Sequence, residues 1–580
     1  MNTKILLLLI VACIATSCDD LFEPAIENNR GLEDAYGEAT YAEGLLLNGY
    51  IRIPTMNWSF NDVATDDAVS NDITNDFRQA ATGQWASNFN PFTQWQGSRS
   101  AIQYLNIFLS EADNVEWSTD NDINVLYNRR LKGEAYGLRG LHMYYLLQAH
   151  AGLAEGELLG VPIILDPEDP ESDFNIPRST FRNCMIQLLS DLERADEMLA
   201  LDFEDINDPS LLPSGIDNIN DYNRVFGERG RQRMSGRIVK ALKAQAALLA
   251  ASPAFGAYSG ISWEQAANYA GEVVSLNGGI SGIAPNGHTW YTNASQINQL
   301  GGGSNPPEIL WRGDVGQSNN LEMDHFPPSL NGAGRLNPTQ NLVDAFPDSN
   351  GYPISNPLSN FDPNAPYENR DPRLRTYILV NQGTAGVNNA TITTAADGNS
   401  IDAINREATS TRTGYYMKKL LRQDVNLDPV TTNTQLHYKP RIRYTELYLI
   451  YAEAANEAWG PRGTGTQDFS AYDVIAELRQ RAGISQPDLY LESIGSDKVA
   501  MRELIRNERR LELCFEGFRF WDLRRWNLNL SQTAMGVSIE DNNFDYINVE
   551  NRAYQDYMQY GPVPYSELLK FEALQQNEGW

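Results

Sequence analysis

Residues 502–526 read RELIRNERRLELCFEGFRFWDLRRW, and this charge pattern does not suit an isolated helix. Arg502, Arg506 and Arg510 recur every four residues, as do Glu508, Glu512 and Glu516. Groups four apart are neighbours on a helix surface, where like charges repel. The stripe therefore requires counter-charges from elsewhere in the fold. Met501, Leu504, Leu511 and Phe515 lie at helical spacing and would anchor the segment to a core. Phe518, Phe520, Trp521 and Trp526 follow, too apolar to leave in water. The reading is an ordered ion-pair motif within a helical core, carried by Arg506, Glu508, Arg509, Arg510, Glu512, Glu516, Asp522 and Trp526. A nucleic-acid patch is excluded, because the arginines are matched by carboxylates and the 580-residue chain carries a formal charge of −30, which repels a polyanion.

Outward from this stretch, spacing predicts helix pairs. Leu131, Ala135, Leu138, His142, Tyr145 and Ala149 alternate in steps of four and three. A second helix runs from Arg178 to Leu199. Ala241, Ala244, Leu248 and Ala251 form a small-residue stripe that Ser252-Pro253 ends, since proline disfavours helix at the residue before it. A partner follows around Trp263, Ala266, Ala270 and Val273. Leu447, Tyr451, Ala454 and Ala458 are answered by Ala471, Ile475, Leu478 and Ala482. Antiparallel pairs with alanine and aromatic contacts suggest degenerate tetratricopeptide-like units. Between them, residues 277–372 are rich in Gly, Pro and Asn, and 383–413 in Thr, Ala, Asn and Gly. These read as ordered coil with short strands draped over a helical frame. Hydrophobic content of 42% and aromatic content of 10% describe a globular chain.

The ordered pattern Glu-Arg-Arg-x-Glu-Leu-x-x-Glu-Gly-x-Arg-x-x-Asp-Leu-Arg-Arg-Trp (508–526) closely resembles the C-terminal motif of the SusD-like (RagB/SusD) family. Further segments resemble the family in order, among them 129–165, 175–196, 236–255, NPTQNLVDAF (337–346), YENRDPRLR (367–375), 441–460 and GPVPYSELL (561–569). One departure is AGLAEGELLGVP (151–162), longer than the usual exit from the first long helix. The resemblance implies a mainly α fold of tetratricopeptide-like pairs in a right-handed superhelical scaffold, with long irregular loops and a few short strands. It implies one compact unit with an N-terminal part (18–276) and a C-terminal part (277–580). It also implies a Bacteroidetes surface lipoprotein that captures an oligosaccharide for a SusC-like TonB-dependent outer-membrane transporter. A peptide-binding RagB-like uptake protein, a surface glycoside hydrolase and a scaffold binding only proteins are the rival readings.

The N-terminus agrees. Lys4, an apolar run from Ile5 to Ala15 and the small residues before Cys18 describe an export signal over 1–17, too short to span a bilayer. Ala15-Thr16-Ser17-Cys18 looks like a lipoprotein box, although position 15 usually prefers Leu. Ile10-Val11-Ala12-Cys13 competes with it. Cys18 is favoured because it ends the apolar run and precedes Asp19-Asp20, which resembles a surface-export signal. The acyl chains on Cys18 would be the membrane contact. Cys184 and Cys514 remain, too few for a disulfide framework or a zinc site, and read as buried small apolar residues; spacing does not decide whether they pair.

No enzyme motif is present: no P-loop, no His-Glu-x-x-His, no Gly-x-Ser-x-Gly. Asp62, Asp66, Asp67, Asp72 and Asp76 cluster enough to suggest calcium, but without an EF-hand pattern the favoured reading is a solvated acidic loop and no cofactor. Sugar rings stack apolar C–H faces on aromatic rings and satisfy hydroxyls with amides and charges. The candidate ligand residues are therefore aromatics in polar loops with nearby amides: Trp58; Trp85 with Asn88 and Asn90; and Trp290 with Tyr291.

Overall fold

The computed structural model describes residues 34–54, 58–213 and 215–580. The leader and Cys18 lie outside the described residues. The longer helices are α1 (Ala39–Ile51), α2 (Trp95–Glu111), α3 (Asn121–His150), α4 (Phe181–Met198), α5 (Ile219–Phe226), α6 (Gly236–Ala251), α7 (Trp263–Leu276), α8 (Tyr444–Trp459), α9 (Ala471–Ala482), α10 (Lys498–Leu513) and α11 (Arg519–Arg525). Side-chain caps fix several starts: Asp120 for α3, Thr180 for α4, Ser235 for α6 and Asp497 for α10. Ser262 with Gln265 and Ser470 with Asp473 close capping boxes at α7 and α9.

Successive helices pack as a row. α1 lies on α2, α2 on α3, α3 on α4, α4 on α6 and α6 on α7; α7 then packs on α8, and α8 on both α9 and α10. The molecule is thus mainly α, built from tetratricopeptide-like pairs. The α7–α8 contact joins the two halves of the chain across the long loops. Three glycines on one side of α3 allow the tight approach of its neighbours. A Cβ on Gly133 would meet Leu199 at 2.9 Å, on Gly137 Met234 at 2.6 Å, and on Gly140 Leu192 at 2.8 Å.

Every sheet among the described residues has only two strands. β1 (Ala68–Ser70) pairs with β2 (Leu336–Pro338), tying the first loop to the long excursion, with Val69 opposite Asn337. Near the C-terminus β3 (Ala534–Glu540) and β4 (Asn543–Glu550) form a hairpin. Its turn residues Asp541 and Asn542 both have positive φ, as a two-residue hairpin turn requires.

The core is divided, and α10 bridges its two main parts. Met501, Leu504, Ile505 and Leu513 belong to the helical core, which runs from Leu45 to Leu574. Leu511, Cys514 and Phe515 belong to a second core under the loops, with Trp290, Leu342, Leu374 and Tyr415. Cys184 and Cys514 are both buried and unbridged.

The charges of α10 lie between these cores. Arg373, fully buried, bonds Asp371 at 2.6 Å, Glu508 at 2.9 Å and Glu512 at 3.0 Å. Arg479 takes the other oxygen of Glu508 at 2.7 Å, and Arg481 meets Glu512 at 2.9 Å. Glu516 binds Arg443 at 2.8 Å and Lys419 at 2.7 Å. Asp522 joins Arg509 and Arg525, each at 2.8 Å, and Glu453 accepts from Arg525 and from the Trp526 indole, each at 2.6 Å. Arg506 pairs loosely with Glu503 and lies over the Trp526 ring. Burial alone would raise the Glu512 carboxyl, but Arg481, Arg373 and Arg443 together hold it well below the usual range.

The acidic cluster of 62–76 is not a solvated loop. Asp62, Asp66 and Asp67 are buried, and they supply part of the missing counter-charge. Arg510 bonds Asp66 at 2.9 Å and Asp67 at 2.6 Å, and Arg519 bonds Asp66 at 2.8 Å. A carboxylate pair already held by two guanidinium groups does not suit calcium. Asp72 and Asp76 lie at the surface end of the cluster. Burial and the charge of Asp67 push Asp62 up to about 7.

Candidate functional site

A cleft of about 580 Å³ opens where the first loop meets the excursion. Its platform is Trp58, half-buried, with Phe60 at 6.0 Å and Trp290 at 6.4 Å in near-parallel stacks. Lys439 lies 5.2 Å from the Trp58 ring centre. Burial and neighbouring Arg441 bring the Lys439 ammonium down to about 7. The polar rim comes from Asp72, Asn75, Asn320, Asp324 and Arg335.

Local chemistry sets this geometry. The β1–β2 pairing brings Ser70 opposite Leu336 and so places Asp72 and Arg335 on one side. Asn71 donates to the carbonyls of Ala333 and Gly334, locking the two loops together. Asp72 accepts from the Thr74 amide at 2.8 Å and hydroxyl at 2.7 Å, which hold its carboxyl below the usual range. Asp324 is pushed up by burial, against the pull of Arg335. His325, edge-on to Phe60 at 4.6 Å, is brought down to about 3 by burial and the charge of Arg335, so it stays neutral at physiological pH.

The residues expected to bind ligand separate here. Trp58 is the accessible aromatic among them. Trp290 and Tyr291 are buried, and Trp290 serves as backing for Trp58. Trp85 is a core residue: it is 3% exposed, enclosed by Phe92, Phe520, Tyr554 and Trp580, and it has no face to offer a sugar. Asn90 is committed to the Trp85 indole at 3.0 Å. Asn88 is exposed but lines neither the cleft nor the inner cavity beside it. The alternation of aromatic and amide residues in 85–90 reflects a satisfied indole. The rim residues Asn320, Asp324 and Arg335 carry no distinctive motif; the strand pairing and backbone bonds such as Arg335 to Asp324 (2.9 Å) bring them to Trp58.

Comparison with known proteins fits this architecture. A family model described as the SusD family matches residues 307–580, and one described as starch-binding associating with outer membrane matches residues 44–214. Together they take in most of the chain. The protein belongs to the SusD-like family. SusD-like protein P38 of Formosa agariphila is 24% identical over 453 residues, covering 75% of this chain and 72% of that protein. SusD-like protein P25 of the same organism is 35% identical over 117 residues, but only 20% of its length is matched. Among solved structures, a SusD-like protein from Bacteroides fragilis superposes with a TM-score of 0.71 at 22% identity, covering 94% of this chain and 98% of that one. A laminarin-binding SusD-like protein superposes with a TM-score of 0.57 at 18% identity, covering 93% and 99%. At such identity these likenesses establish the fold of this SusD-like protein. Among its described residues no helix is long and apolar enough to cross a membrane.

Proposed function

We propose that this SusD-like protein captures an oligosaccharide at the cell surface, without cleaving it, and passes it to a SusC-like TonB-dependent transporter in the outer membrane, to which it is tethered through an acylated Cys18. The observation that carries the reading is Trp58: a half-buried indole, braced from behind by Trp290, in a cleft whose rim is amide, carboxylate and guanidinium. An apolar platform with a few convergent polar groups is the usual form of a small-molecule site, and it matches a sugar's C–H face and hydroxyls. The family membership and the carbohydrate-binding and laminarin-binding descriptions of structural neighbours support the same ligand class.

Calorimetric titration with laminarin, starch and mixed peptide fragments tests it. Glycan binding without product release is expected. Trp58→Ala should weaken it at least tenfold, about 1.4 kcal/mol, and Asp324→Asn with Arg335→Ala should weaken it further. Affinity for peptides alone, or sugar release by the purified protein, would favour the rival readings.

A further inference from the structure

Behind Trp58 and Lys439, which line both spaces, lies a second and more enclosed cavity. It sits where the helix row meets the C-terminal motif, with walls from α3, α6, α8, α10 and α11. Its volume is about 160 Å³, close to the roughly 150 Å³ of a cavity that admits one six-membered aromatic ring. That is room for a single ring and not for a chain. An apolar cavity of that size stays dry, but the largely apolar wall of this one also carries charged side chains, among them Glu446 and Arg509.

Glu446 and Arg509, which face this cavity, each have a buried hydrogen-bonding atom without a partner. Glu446 accepts from Gln245 at 2.7 Å through Oε1, while Oε2 has no partner. Arg509 gives its Nε to Asp522 at 2.8 Å, while Nη1 has no partner. Each residue is 3% exposed. A buried charged group left unsatisfied is costly, and a molecule that both donates and accepts would relieve the two together. Tyr144 adds a hydroxyl that accepts from Gln148 at 3.1 Å. Burial and then the charge of Glu446 raise the Tyr144 hydroxyl, and the charge of Arg509 opposes the rise that burial imposes on Glu446. Trp521 contributes a half-buried flat wall.

We propose that this inner chamber binds one pyranose-sized polyhydroxylated molecule, its hydroxyls donating to Glu446 and accepting from Arg509, with a ring face on Trp521. A free amino acid such as glycine or leucine also combines a donor with an acceptor, but it has no ring face to lay on Trp521.

The test is saturation-transfer NMR and calorimetry on the folded chain with glucose, galactose and mannose, and separately with glycine and leucine. At least one hexose should bind at millimolar concentration. Gln245→Trp, which fills the space, and Glu446→Gln, which keeps the shape, should each weaken it at least tenfold with the thermal transition retained. Asp324→Asn with Arg335→Ala should leave hexose binding unchanged while weakening oligosaccharide binding at the outer cleft, so the two sites fail separately. The proposal is overturned if no hexose binds, if hexose binding survives Gln245→Trp, if it follows the outer-cleft variant, or if an amino acid binds in its place.

Discussion

The belt of charges around α10 and the cleft at Trp58 use the same kinds of side chain to opposite ends. In the belt, Arg373, Glu508 and Glu512 are fully enclosed and bonded to one another. In the cleft, Asp72 and Arg335 are partly open and stand 3.9 Å apart. A buried charge must be answered by the fold itself, whereas a charge at an opening keeps capacity for something that arrives. What distinguishes structure from site here is therefore enclosure and completeness of pairing, not composition.

That contrast can be broken at several points. The largest effect is expected for Glu512→Ala, which leaves Arg373 and Arg481 without a shared carboxylate; breaking a buried pair from one side costs about 3–5 kcal/mol, readable by denaturant unfolding. Replacing Glu512 and Arg373 together by apolar residues of similar volume should recover part of that loss. If Glu512→Ala unfolds at the same denaturant concentration as the wild type, the belt is ornamental. Next comes Trp85→Ala, expected to cost about 3 kcal/mol or more as a core deletion while leaving glycan affinity of the folded fraction intact. Trp58→Ala should do the reverse, costing affinity with about 1 kcal/mol of stability or less.

The pH dependence sharpens the same comparison. Glu512, Glu516 and Asp522 are all held below their usual range by arginines that outweigh burial, with Lys419 adding to the effect at Glu516. Their contribution is complete above the ordinary carboxylate range of about 4 and is lost as pH falls beneath it. Glu446 has the opposite sign. Its folded value of about 7 means that the unfolded chain releases the proton first, so stability declines as pH rises from about 4 to 7. Glu446→Gln should therefore raise Tm at pH 8 and leave it nearly unchanged at pH 4. An equal shift at both values would show that the carboxyl is not buried in solution.

The helical frame was legible because its signals are local. Periodic stripes mark α7, α8 and α9 to within a turn and fall inside α3 and α6, whose first turns they miss, and Ser252-Pro253 ends α6 where expected. The unpaired stripe on α10 signalled distant partners but not which ones, since nothing local in Arg373 or Asp66 announces Glu508 or Arg510. For the same reason the acidic run at 62–67 passed for a solvated loop. The hairpin β3–β4 escaped notice although Asp541-Asn542 is a turn signal between strands. The site was only partly legible. Trp58, Trp85 and Trp290 share the same polar surroundings in sequence, and their separation into platform, core and backing depends on burial, which spacing does not encode in loops.

The belt also orders events in time. Arg510 reaches Asp66 across 444 residues of chain, and Glu512 reaches Arg373 across 139. During synthesis, the belt itself closes only after nearly the whole polypeptide has emerged: Asp66 waits for Arg510, and Arg373 for Glu512. A chain with such distant closures forms its interior slowly, because loop entropy is spent before contact is gained.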